Sequence, residues 1–134
     1  MTNNRTLLSN AMQENALFSG ISGIVLIAGA PWLDTWLGVN GWLLAAAGVG
    51  LIVFASDLVS WSRSAKLLIS GGRMAVISDI AWVVGAASLI AFTAVLSRQG
   101  ELALAIVSVV VAGFAAAQWI GLRRLRDAED PTAV

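Results

Sequence analysis

The chain has 134 residues, 58% of them hydrophobic and 12% charged, with a mean hydropathy of +0.84 and a formal net charge of zero. A soluble domain of this size carries about a quarter of its residues as charges, so half that share points to lipid as the solvent, and a balanced charge leaves nucleic acid no basic footing. Cys, His and Tyr are absent, which removes disulfides, thiol chemistry and imidazole ligands for zinc or haem, and leaves only Asp and Glu to move a proton near neutral pH.

Residues 1–14, MTNNRTLLSNAMQE, are polar, with Leu7, Leu8, Ala11 and Met12 at helical spacing. The pattern suits a short amphipathic helix lying on the membrane surface, or a disordered leader. The first span covers residues 15–32, around the uncharged run ALFSGISGIVLIAGA. Ala28-Gly29-Ala30 mimics a signal-peptidase site, but Arg5 stands too far upstream of the apolar run, so the span is expected to be retained. Pro31 is expected to end this helix. The first connection is then PWLDTWLGVNGW, with Asp34, no Lys or Arg, and Trp32, Trp36 and Trp42 suited to a half-wet interface.

The second span covers residues 41–61, through LLAAAGVGLIVFA. From Asp57 to Asp79 runs the longest break between the two apolar halves, carrying Arg63, Lys66 and Arg73. Here residues 66–69 are expected to lie flat on the membrane, with Arg63 and Lys66 reaching lipid phosphates, and Gly71-Gly72 to mark the reversal. The third span covers residues 75–96. Ser97-Arg98-Gln99-Gly100 is a turn so short that the fourth span, residues 101–122, must be its antiparallel neighbour. Arg123, Arg124 and Arg126 close that span, and the acidic tail DAEDPTAV is expected to fray.

Arg5, Arg63, Lys66, Arg73, Arg123, Arg124 and Arg126 fall on one side, Arg98 alone on the other. Lys and Arg gather in cytoplasmic loops, so both termini are expected inside, in a bacterial inner membrane. Each span is about 18–22 residues, roughly 27–33 Å of helix, which matches a hydrocarbon core of about 30 Å. The fold class is an all-α membrane protein: one domain, residues 1–134, forming an antiparallel four-transmembrane-helix bundle. The two halves also align. Asn15-Ala-Leu-Phe18 matches Asp79-Ile-Ala-Trp82, Phe54-Ala55 matches Phe114-Ala115, and Arg63 matches Arg123. Such an alignment describes two repeated hairpins of the same membrane orientation, and it is also one that apolar helices produce by chance.

Polar side chains inside spans are costly and often functional. Each span has one near its inner end: Asn15, Asp57, Asp79 and Gln118. All four lie roughly 25 Å from the outer end and are expected to form one layer. In a functional reading Asp57 and Asp79 bind a cation or proton and the amides orient it. In a structural reading Asp57 pairs with Arg63 or Arg73, Asp79 closes the start of the third span, and the layer pins the bundle's register. Small residues make a second pattern. Ser19-xxx-Gly23, Ala46-xxx-Gly50, Gly85 and Gly113 are candidate helix-packing faces, either within the bundle or toward another subunit, with the second span as the favoured contact helix. Trp32, Trp36 and Trp42 on one side and Trp61, Trp82 and Trp119 on the other read as interfacial anchors, with quinone or pigment stacking as the alternative. No metal-ligand spacing, phosphate loop or catalytic triad is present, so no metal, cofactor or enzymatic activity is expected.

Asn15-xx-Phe18-Ser-Gly20, Pro31 after the first span, SDIAWVVG at 78–85 and Gly121-Leu-Arg-Arg124 resemble a broad group of small four-helix bacterial membrane proteins, loosely DoxX-like. The resemblance implies the fold and assigns no functional residue. Small multidrug transporters share the length and span count, but they resemble pumps with a Glu in the middle of the first span, whereas Glu14 sits at its edge here. Three functions follow as expectations. The first is an accessory, assembly or stabilising subunit that uses the small-residue faces to meet a membrane-protein partner or its own copies in the lipid bilayer. The second is a small carrier or channel working through Asp57 and Asp79. The third is lipid, quinone or pigment binding between helices.

Overall fold

A computed structural model describes residues 2–129. Four helices follow one another: α1 (Thr2–Leu37), α2 (Gly41–Arg63), α3 (Leu68–Phe92) and α4 (Arg98–Glu129). All four are long and apolar enough to cross a membrane. A hydrocarbon solvent offers backbone groups no partner, so a continuous helix, with every interior N–H and C=O paired, is the structure such segments adopt. Gly38 ends α1 at φ 74°, a left-handed conformation that glycine adopts without penalty. Asn40 caps α2, its side chain accepting from the Trp42 backbone N–H at 3.1 Å.

The helix boundaries depart from expectation in five places. Pro31 lies inside α1 rather than at its end. Proline removes a single N–H, and α2 packs here: a Cβ on Gly41 would stand 3.3 Å from the Ala30 carbonyl oxygen. Ending the helix at Pro31 would forfeit that contact and expose further backbone groups. Residues 2–13 are neither a surface helix nor a frayed leader, because they continue α1 and pack inward. Leu8 and Met12 are fully buried with Leu68, Val76, Leu122 and Leu125. The break between residues 57 and 79 shrinks to 64–67, and Gly71 and Gly72 lie within α3. They do not reverse the chain. Gly71 gives the Trp61 ring its place, and Gly72 leaves room for Leu8 and Leu122. Finally, α3 stops at Phe92, where Thr93 turns extended and its hydroxyl donates to the Leu89 carbonyl at 2.6 Å. Of the acidic tail, residues 127–129 continue α4 and residues 130–134 lie outside the described part.

α1 packs along α2 and also on α4, α3 packs on α4, α2 and α3 touch sparingly, α1 and α3 still less, and α2 and α4 do not meet among the described residues. At the end holding the termini, Ser9 donates to the Ser62 carbonyl at 3.0 Å and Asn4 to the Arg124 carbonyl at 3.3 Å. At the opposite end Ser97 ties the connection between α3 and α4 to α1, its hydroxyl donating to the Trp36 carbonyl at 2.6 Å and its N–H to the Leu37 carbonyl at 3.0 Å. The buried core gathers at the terminal end: Leu8, Met12, Leu58, Val76, Leu122 and their neighbours. Leu17, Ile24, Val49, Ile77, Val84, Ile106 and Val109 turn outward, as a lipid solvent allows.

Burial repeats with the alignment of the halves. Leu8, Ala11, Met12 and Asn15 are buried in α1, and Gly72, Ala75, Val76 and Asp79, their counterparts at one constant offset, are buried in α3. Ala55, Leu58 and Ser62 in α2 correspond to Ala115, Gln118 and Leu122 in α4, at an offset of 60 rather than the 64 of the first set.

Candidate functional site

The inward stripe of α1 continues past Met12 to Asn15 and Ser19, and the matching stripe of α3 continues to Asp79, so three polar side chains meet between these helices. Asn15 Nδ2 donates to Asp79 Oδ2 at 2.8 Å. Ser19 Oγ donates to Asn15 Oδ1 at 3.1 Å. The hydroxyl fixes the amide so that its N–H end faces the carboxylate. Asp79 is 3% exposed and Asn15 fully buried. Gln118, also fully buried, comes from α4 close enough to act on the same carboxylate, but its Nε2 and Oε1 stand outside hydrogen-bonding geometry.

Asp57 does not join them. Leu58 takes the buried position on α2, which turns Asp57 about 100° away to the exposed surface. The two aspartates also differ in height. Asp57 lies roughly 9 Å from the Arg63 end of α2, and Asp79 roughly 17 Å from the Leu68 end of α3. Because α3 begins at Leu68 rather than at residue 75, Asp79 sits near the middle of its helix and closes no helix start. Asp57 forms no ion pair with Arg63 or Arg73 among the described residues. Asp79 is the one buried carboxylate among the described residues.

From Asp79 a cavity of about 790 Å³ extends to Leu37, Val39 and Leu96 at the end opposite the termini. Its walls come from all four helices and are mainly apolar, with Leu26, Leu51, Leu104 and Val107 prominent, and Ser19, Ser22, Ser78 and Asp79 as its polar exceptions. Ligand cavities run to about 300–1,000 Å³. Leu43 and Gly50 border it and are themselves exposed, so it opens on the bundle's surface. One helical turn beyond Asn15 and Asp79 stand Phe18 and Trp82, and both line it. Phe18 leans on Phe114, ring centroids 5.7 Å apart and tilted by 53°. The Trp82 Nε1–H is buried without a partner.

The remaining expected residues divide. Gly23 is a close helix contact, but with Gly48: a Cβ on either would come within 2.6 Å of the other's carbonyl oxygen. Ala46 and Gly50 face outward, because the stripe of α2 that meets α1 carries Leu44, Gly48 and Ala55 instead. Gly50, Gly85 and Gly113 have nothing near the place of a Cβ. Ser19 acts as a hydrogen-bond donor within the polar group. Trp32, Trp36 and Trp42 are exposed at the end away from the termini and Trp119 is exposed on α4. Trp61 packs on Gly71 and Trp82 lines the cavity, so these two serve the interior. Spacing alone does not identify the cavity or the Phe18–Trp82 pair, whereas Gly48, beside Gly50 and Ala45 to Ala47, is among the small residues that mark α2 as a contact helix. The signal for the aromatic pair was the aligned Asn15/Phe18 and Asp79/Trp82, which put an aromatic ring one turn from each polar residue. No protein-family model, curated protein or solved structure matches the chain.

Proposed function

We propose that this multi-pass protein takes a small amphiphilic molecule from the lipid phase into the cavity between its helices and holds or carries it there. The single observation behind this is the continuity of a roughly 790 Å³ apolar space with the buried Asp79 group. An apolar tail suits the walls and a polar head suits the floor. Ser19 has no base beside it, donating instead to Asn15, and this favours binding over bond-making. The grouping of basic residues at the terminal end supports a bacterial cytoplasmic membrane with both termini inside. Kinship with the DoxX-like proteins belongs to the same proposal and adds no site residue.

A second reading, an accessory subunit, draws on Gly85 and Gly113, small positions that meet nothing within the chain. Native mass spectrometry after gentle extraction separates the two. The cavity reading expects a small-molecule adduct that is lost when Ala103→Trp fills the space. A stoichiometric protein companion lost in Gly85→Leu and Gly113→Leu, with no small adduct, would replace it by the accessory reading.

A further inference from the structure

Asp79 has no counter-charge. Every Lys and Arg lies toward a helix end, all are exposed, and none pairs with this carboxylate among the described residues. Its partner Asn15 is neutral, and so is Gln118 behind it. Amide groups solvate a carboxylate without neutralising it, and an ionised group buried in a membrane is costly until a proton or another cation meets it. The rings of Phe18 and Trp82 line the same end of the cavity. Aromatic faces beside a carboxylate are the surroundings in which ammonium groups are bound, the rings by their quadrupole and the carboxylate by its charge.

On the reading that the cavity is a binding site, we infer that its ligand is a lipophilic cation, an amphiphile whose ammonium head sits on Asp79 between Phe18 and Trp82 with its apolar tail toward Leu37 and Leu96. An anionic head would be repelled by Asp79. A neutral head would leave the carboxylate uncompensated and gain little from the rings. The polar exceptions on the walls are hydroxyls near the floor, so the tail meets apolar surface along most of its length.

The test uses the full chain in phosphatidylcholine nanodiscs, with empty nanodiscs subtracted, titrated calorimetrically with decyltrimethylammonium and with decanol. The expected result is saturable ammonium binding at least tenfold tighter than decanol, with Asp79→Asn abolishing the difference. Asparagine can still accept from Asn15. If that variant fails to fold, the comparison of the two probes on the unaltered protein decides alone. Equal affinity for both probes would overturn the cationic ligand while leaving the cavity reading intact. Ammonium preference that survives Asp79→Asn would place the cation elsewhere and overturn the assignment. Absence of binding by either probe would remove both.

Discussion

Asn15 and Asp79, joined by a 2.8 Å hydrogen bond, are separated by 64 positions and hold equivalent places in the two halves of the chain. The bond therefore links two residues that align between the halves, at the sparing contact between α1 and α3. The identities are not symmetric. Two aspartates at that point would repel each other, and two asparagines would carry no charge. One of each lets an amide donor face a carboxylate.

Restoring the symmetry in the acidic direction should be damaging. Asn15→Asp is expected to lower stability by about 3 kcal/mol, since it replaces a buried donor with a second carboxylate. Asp79→Asn, which preserves a donor–acceptor pair, should stay within about 1 kcal/mol of the parent. Thermal unfolding of the two variants in detergent checks the ordering, and equal losses would contradict it.

The contact between α1 and α2 depends on two missing side chains. Gly23→Val or Gly48→Val should each lower stability by at least about 2 kcal/mol, because the new methyls meet backbone that cannot move aside. The same substitution at Gly113, which has open space around it, should change the melting temperature little.

Leu8 tests whether the first turns of α1 belong to the core. It is fully buried against Gly72 and Gly121, so Leu8→Ala should cost about 2–5 kcal/mol. Asn10→Ala, on the exposed side of the same turn, should shift unfolding by less than about 0.5 kcal/mol. A surface helix dissolved in lipid headgroups would show no such contrast.

Asp57 and Asp79 looked equivalent along the chain, and ammonium binding distinguishes them. Asp57→Asn should leave the affinity for decyltrimethylammonium unchanged, whereas Asp79→Asn should lower it at least tenfold. An equal loss at both positions would mean that the two carboxylates act together despite their difference in height.

Helix number and class were legible in the sequence because lipid demands them: four apolar runs of sufficient length admit few alternatives. The ends were not. Pro31, Gly71 and Gly72 are breakers by local rule, and tertiary contacts with Gly41, Trp61 and Leu8 kept them helical. Of the expected polar layer, Asn15, Asp79 and Gln118 come together, and their equal depth along the spans carried that information. Asp57 stays out because a rotation of one residue decides which side chain turns inward, and in an all-apolar helix neither face is marked. Leu58 at the neighbouring position wins the interior. The cavity lies beyond any reading of spacing, since it depends on how far apart the helices stand.

The core is packed solid at the end bearing the termini and hollow at the other, and α2 and α3 meet where Trp61 lies on Gly71. The molecule is thus built like a pair of tongs with its rivet at one end. Leu8, Leu58 and Leu122 hold the rivet. On the proposed reading, a guest would rest beyond it, against walls whose contacts are not the ones that hold the fold together.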